Sequence, residues 1–280
     1  MTALRLIGVG LVFLVLTLLL LPLQLLAIAT GHEIRRRLPR HWHRVMARTI
    51  GFRIAVRGAP ADRRPLLLIS NHVSWKDIII LGAITDVVFV AKSEVRTWPV
   101  FGWLARLQRS VFIDRQRRRT TGVQIGEMAA RLTAGEILVL FPEGTTSDGN
   151  RTLPFKTALF GAATAALQAV PDRRVHVQPV SIAYLGLHGL PMGRYHRPVA
   201  AWPGDIPLAP HLLRVLQYGA LDIEVCFGEP LAFDETTDRK RAARRLEAQI
   251  TEMLAGSLQQ GPHPRQPAGE AANADCHDAP

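Results

Sequence analysis

PLLLISNHVSWKD, residues 65–77, changes character at Ser70. From Pro65 to Ile69 it is apolar without a break. Beyond Ser70 an amide, an imidazole, a hydroxyl, an ammonium and a carboxylate follow at Asn71, His72, Ser74, Lys76 and Asp77. A strand that is apolar at consecutive rather than alternate positions is covered on both faces, as in a parallel sheet between layers of helices. In open sheets of that kind, ligands bind beyond the carboxyl ends of the strands, which is where these polar residues fall.

The same design recurs on either side. RIAVRG (53–58), VVFVAK (87–92), SVFIDR (110–115), EILVLFPEG (136–144), VHVQPVSIAY (175–184) and DIEVCFGEP (222–230) are short apolar runs. Helix-like stretches near 74–84, 97–108, 118–134, 155–169 and 238–256 alternate with them. This alternation predicts an α/β domain over 53–258, with a largely parallel central sheet flanked by helices. Residues 186–215, rich in Gly, Pro and His, read as a long irregular insertion. Residues 259–280 turn to Pro, Gly, Ala and polar types, the composition of a disordered tail.

The 280 residues, 48% of them hydrophobic, suffice for one medium domain with appendages. From Leu6 to Gly31 no residue is charged, a stretch longer than the roughly 20 residues a membrane-crossing helix needs. Residues 1–31 are expected to form an N-terminal membrane helix, either a span kinked at Pro22 or a bent helical pair in one leaflet. Ala27-Ile28-Ala29 resembles a signal-peptide cleavage site, but the apolar stretch exceeds the usual ~7–15 residues and a basic cluster follows it. Arg35, Arg36, Arg37, Arg40 and Arg44 lie in a basic juxtamembrane helix expected over 32–52, and Arg5 alone lies on the other flank. That asymmetry predicts a domain on the cytoplasmic side of the cytoplasmic membrane. The formal charge of +11 asks for a polyanionic neighbour, and arginines beside an apolar anchor, with no nucleic-acid reader motif, favour a membrane surface over nucleic acid.

Three strand ends carry the chemistry. If a helix starts at Ser74, then Ser74-Trp75-Lys76-Asp77 fits a capping box, and the Asp77 carboxylate points back towards the loop that holds His72. Asp77 then keeps one imidazole nitrogen protonated, and the other is free to remove a proton from a hydroxyl. Taken alone, a His-x4-Asp pattern is short and common, and is better explained by a helix cap beside a surface histidine. SVFID runs into Arg115, a guanidinium suited to gripping phosphate. ILVLFP runs into Glu143, Gly144, Thr145, Thr146 and Ser147, where a glycine turn and hydroxyls can receive a phosphate or an oxyanion. Lys156 follows Pro154-Phe155 at the start of a helix-like stretch, a place for an anion. No Gly-x-Ser-x-Gly elbow is present, so a base without a protein nucleophile predicts direct attack by a substrate hydroxyl. Cys226 and Cys276 are too few for a zinc site or a disulfide framework. The HWHR segment, residues 41–44, lacks a third ligand, so no metal is expected.

The order of these blocks resembles the glycerolipid acyltransferase superfamily, and within it the bacterial 1-acylglycerol-3-phosphate acyltransferases. Asn71-His72 through Asp77 matches that family's NHxxxxD block, and Phe112-Ile113-Asp114-Arg115 its second block, whose arginine is assigned to acceptor phosphate. Glu143-Gly144-Thr145 with Ser147 matches the third, and Pro179 in VQPVSIAY the fourth, near acyl and acceptor contacts. The likeness covers roughly residues 50–230 and implies a glycerol-3-phosphate acyltransferase-like fold. It also implies transfer of a fatty acyl group from acyl-CoA or acyl carrier protein to the free hydroxyl of a lysolipid. His72 would be the base and Asp77 its orienting partner, with no acyl-enzyme and no cofactor beyond the thioester co-substrate. Many members read EGTRS in the third block where this chain has Thr146, so one fixed positive charge is missing. FPEGTTSDGN resembles the branch that acylates lyso-ornithine lipid, whose zwitterionic head group has no phosphate. Arg115 and Lys156 remain for a phosphate, so lysophosphatidate, the acceptor of the larger family, is the expected substrate and lyso-ornithine lipid the alternative; the reading from a different class is a non-catalytic lipid-binding membrane protein.

Overall fold

In the computed structural model, which describes residues 2–113, 118–168, 170, 172–204 and 206–262, the apolar run 66–70 is a central strand. Its side chains alternate between two cores. Leu66 and Leu68 join one apolar cluster and Leu67 and Ile69 the other, and all four are wholly buried. At about 1.5–3 kcal/mol for each buried aliphatic side chain, this one strand contributes heavily to both sides of the sheet.

In chain order the elements are α1 (Thr2–Ala29), α2 (Ile34–Ile50), β1 (Arg53–Arg57), β2 (Leu66–Ser70), α3 (Lys76–Ile84), β3 (Val87–Lys92), α4 (Phe101–Leu107), β4 (Val111–Ile113), α5 (Arg118–Thr133) and β5 (Ile137–Leu140). There follow α6 (Gly161–Leu167), β6 (Val175–Leu187), β7 (Leu190–Pro191), α7 (Leu208–Tyr218), β8 (Leu221–Phe227), β9 (Leu231–Phe233) and α8 (Arg239–Gln260). The sheet order is β1-β8-β6-β2-β5-β3-β4, with β7 and β9 also pairing to β6. Pairs β1–β8, β2–β6, β2–β5, β3–β5 and β3–β4 are parallel. The long strand β6 is antiparallel to β7, β8 and β9. The predicted α/β sheet is therefore present but mixed, parallel on the side that carries β2, β5, β3 and β4. Their carboxyl ends share one edge, so the ends of β2 and β5 are neighbours.

Helices cover both faces. Residues of α1, α2, α3 and α7 pack with Leu66 and Leu68, whereas residues of α5, α6 and α8 pack with Leu67 and Ile69. The α2–α3 contact is close enough to need a glycine: a Cβ on Gly82 would lie 2.5 Å from the His43 ring. That contact also shows that residues 41–44 of the juxtamembrane helix pack against the domain. Trp42 donates its indole N–H to the Thr17 hydroxyl at 3.0 Å, while His43 is buried and bonded to Gln108. Burial lowers the His43 pKa to about 4, so the ring is a neutral packing group.

Helix α1 continues through Pro22 without a break. Arg5 fastens its start by donating to the Leu216 and Ile50 carbonyls at 2.8 and 2.6 Å, and Gln24 fastens its end by donating to the Leu107 and Arg35 carbonyls. The opposite face leaves Leu4, Ile7, Leu11, Leu14, Leu18, Leu19 and Leu26 more than half exposed. Among the described residues, α1 is the one helix long and apolar enough to cross a membrane.

The region 186–215 departs from the expectation of an irregular insertion. It contains β7, a 3-10 turn at Arg197–Val199 and most of α7. Pro210 by itself argues against a helix there, yet it sits in the first turn of α7, where the missing N–H has no intrahelical partner in any case. The last helix runs to Gln260, and residues 263–280 of the expected tail lie outside the described residues.

Candidate active site

The loops after β2 and β5 are knitted together around one histidine. The His72 N–H donates to Glu143 Oε1 at 3.3 Å, and the His72 carbonyl accepts from the Ser147 N–H at 2.8 Å. Both peptide groups of His72 are thus held by the third block. Its ring stacks on Phe141, with centroids 4.1 Å apart and planes 17° apart. Asn71, fully buried, extends β2 by side-chain bonds: its amide donates to the Ile182 carbonyl and accepts from the Ile182 N–H.

Asp77 reaches back from the first turn of α3. Its Oδ2 receives His72 Nδ1 at 2.8 Å and the backbone N–H groups of Val73 and Ser74 at 2.7 and 2.9 Å; its Oδ1 receives the Tyr184 hydroxyl at 2.8 Å. The carboxylate is wholly buried, whereas the His72 side chain is 20% exposed. With Nδ1 facing Asp77, Nε2 is the nitrogen left for a ligand.

The capping box forms in only one direction. Asp77 does cap the Ser74 N–H, but the residue at the helix boundary is Trp75, and the Ser74 hydroxyl accepts from Lys76 Nζ at 2.7 Å instead. Lys76 is wholly buried, donates to the Ala200 carbonyl as well, and lies over the rings of Trp75 and Tyr184. Burial draws its pKa down to about 7, against the opposing pull of the Asp77 charge.

Glu143 is 2% exposed, and its Oε2 has no hydrogen-bond partner among the described residues. Burial raises its pKa to about 8, overriding the backbone N–H groups of His72 and Leu153, so Glu143 is chiefly a neutral acid at pH 7. It braces His72 from beneath. Gly144 takes φ 76° in the turn that follows, a left-handed conformation suited to glycine. Ser147 is buried, its hydroxyl accepting from the Gly149 N–H, and Thr145 is exposed beside the chain at Gly204. Lys156 has an exposed side chain, and its N–H bonds the Pro142 carbonyl. The helical turn begins after it, at Thr157.

Two expectations fare differently. Arg115 lies outside the described residues. Pro179, expected near the acyl and acceptor contacts, is not brought to His72: it pairs with Ile69 in register and packs against Gly228 on the α8 side of the sheet. Strand parity explains this, because Val180, Ile182 and Tyr184 occupy the alternate positions of β6 and face α3.

No motif announces the cover over this site. Residues 192–204 are tied down by the Trp202 N–H on the Val73 carbonyl, the Thr146 hydroxyl on the Trp202 carbonyl and the Lys76 bond to Ala200. Buried Arg197 adds bonds to the Tyr184 and Met192 carbonyls and to Asn150. Trp98, after β3, meets Trp202 edge-on at 6.2 Å. Thr146, read from sequence as one of the hydroxyls of the turn and as the residue in place of an arginine, therefore holds the insertion to the edge that carries His72. Chemically, the arrangement is a buried carboxylate behind an imidazole whose outer nitrogen opens to solvent, with no side-chain nucleophile bonded to it among the described residues.

Residues 53–183 match the model of the Acyltransferase family. The chain is 55% identical over 249 residues to a lyso-ornithine lipid O-acyltransferase of Rhizobium meliloti, an alignment spanning 89% of this chain and 85% of that one. It is 54% identical to a lyso-ornithine lipid O-acyltransferase of Brucella abortus, over 87% and 91% of the two chains. A 1-acyl-sn-glycerol-3-phosphate acyltransferase of Neisseria gonorrhoeae is 33% identical, over 71% and 73%. The crystal structure of a 1-acyl-sn-glycerophosphate acyltransferase from Thermotoga maritima shares the fold, with a TM-score of 0.59, 21% identity, and coverage of 91% of this chain and 97% of that one.

Proposed function

The chain belongs to the glycerolipid acyltransferase family, and on that premise we propose that it acylates the free hydroxyl of lyso-ornithine lipid from an acyl thioester, with His72 as base and Asp77 as its partner. The carrying observation is the 2.8 Å contact of His72 Nδ1 with a wholly buried Asp77 carboxylate. His72 Nε2 takes the acceptor's hydroxyl proton as its oxygen attacks the thioester carbonyl, and Asp77 stabilises the imidazolium that forms. The tetrahedral intermediate collapses with loss of the thiolate, which recovers the proton from His72, so the products are an ester and a free thiol. The carrier of the thioester is coenzyme A or acyl carrier protein, and no further cofactor enters.

The acceptor is argued from two sides. The relatives at 55% and 54% identity carry the lyso-ornithine lipid name, whereas the lysophosphatidate-type relative is 33% identical. Thr146 stands where many family members carry arginine, and its hydroxyl is spent on the Trp202 carbonyl. A head group without phosphate suits a site lacking that charge. Lys156 has an exposed side chain and remains as a contact for the head-group carboxylate. The exposed apolar face of α1, flanked by Arg35, Arg36 and Arg37, brings the enzyme to the cytoplasmic membrane surface where the acceptor resides.

Purified protein offered lyso-ornithine lipid and lysophosphatidate together, with one labelled acyl thioester, is expected to label the ornithine lipid. Preferential labelling of phosphatidate overturns the acceptor, and labelling of neither overturns the acyl-transfer reading.

A further inference from the structure

From the fourfold hydrogen bonding of Asp77 we infer that Tyr184, on β6, is a positioning residue that fixes the rotation of the Asp77 carboxylate and so keeps Oδ2 on His72. This rests on the reading of His72 and Asp77 as the catalytic pair. Oδ2 holds three donors, His72 Nδ1 and the N–H groups of Val73 and Ser74. Oδ1 holds the Tyr184 hydroxyl at 2.8 Å. Without that hydroxyl, Oδ1 would be a charged oxygen in a wholly buried site without its donor, and the carboxylate would gain by turning to share the Oδ2 donors. Each such turn loosens the bond that orients the imidazole.

Tyr184 suits this task. It is 1% exposed, and Lys76 Nζ lies 5.1 Å from the centre of its ring. Its backbone carbonyl is gripped by Arg197 Nε at 3.2 Å, so the residue is held from the covering segment 192–204 as well as from β6. Burial, with the Asp77 charge beside it, pushes the phenol pKa well above its ordinary value, so the donor keeps its proton whenever His72 works. The same parity that turns Pro179 away brings Tyr184 in. Tyr184 touches no reacting atom; it acts through Asp77.

Tyr184→Phe tests this, because it removes one oxygen and leaves the ring. In full-length protein with isotope-labelled histidine, the Nδ1–H resonance of His72 is expected to move. Turnover with lyso-ornithine lipid is expected to fall about tenfold, the scale of one hydrogen bond to a charged group, while KM stays within about twofold. A second variant guards against misfolding: replacing all tyrosines by 3-fluorotyrosine keeps the shape and strengthens the phenol as a donor. The other two, Tyr195 and Tyr218, are 91% and 50% exposed, so movement of the His72 resonance reports Tyr184. An unmoved resonance in either folded protein overturns the inference whatever the turnover, and a moved resonance with unchanged turnover overturns its catalytic consequence. The resonance requires no substrate, so it still decides the positioning if wild-type protein transfers no acyl group, the result that defeats the reading beneath it.

Discussion

His72→Ala is expected to lower acyl transfer by about a thousandfold or more, within the range that a general base supplies, and to leave the protein folded. The substitution removes the imidazole and its stack on Phe141, but not the frame around it. Asp77 keeps the Val73 and Ser74 N–H groups and the Tyr184 hydroxyl, and the hydrogen bonds of residue 72 to Glu143 and Ser147 involve only its backbone. A melting curve close to that of wild type, beside a rate at background with a labelled thioester, is the expected pair of results. Undiminished transfer would remove the base from the mechanism and favour a lipid-binding protein that keeps the motif without using it.

Asp77→Asn is expected to lower kcat about a hundredfold or more with little change in KM. The geometry decides which way the amide faces. Two backbone N–H groups point at the Oδ2 position, so the asparagine oxygen sits there and the NH2 group meets the Tyr184 oxygen. His72 Nδ1–H then keeps an acceptor. What disappears is the negative charge that stabilises the imidazolium in a buried setting. Steady-state kinetics separates the two cases, and a raised KM at constant kcat would mean that Asp77 serves lipid binding rather than the base.

Much of this site is legible in the amino-acid sequence. The unbroken apolar runs signal two-sided burial, and the strand ends at Ser70 and Leu140 do bring His72 and Glu143 to one edge. The local spacing from Ser74 to Asp77 is enough to aim the carboxylate at His72, although the hydroxyl half of the capping box is taken by Lys76. What stays hidden is whatever depends on distant chain. Lys76, which sequence marks only as an ammonium after the strand end, is buried by the arrival of Ala200 and two aromatic rings. Tyr184 lies in a run whose parity is legible, since it shares a face with Ile182, the partner of Asn71, but its bond to Asp77 spans 107 residues of sequence. Pro179 reaches the site by motif resemblance alone, and parity puts it on the other face. The insertion conceals α7 because Pro207, Pro210 and Gly219 bracket it like a loop, while His211 anchors it inside. His211 is buried, accepts the Trp75 indole N–H at 3.0 Å, and has its pKa lowered to about 4 by burial and then by the Lys76 charge.

The family's lysolipid chemistry and the histidine–aspartate pair meet in one claim: the acceptor hydroxyl attacks the thioester directly. Intact mass measurement of the protein after incubation with an acyl thioester and no acceptor, quenched in acid, tests it. The expected spectrum contains only the unmodified mass. A species heavier by one acyl group, lost on adding lyso-ornithine lipid with matching formation of product, would mean that a protein nucleophile carries the chain and that His72 serves some other step.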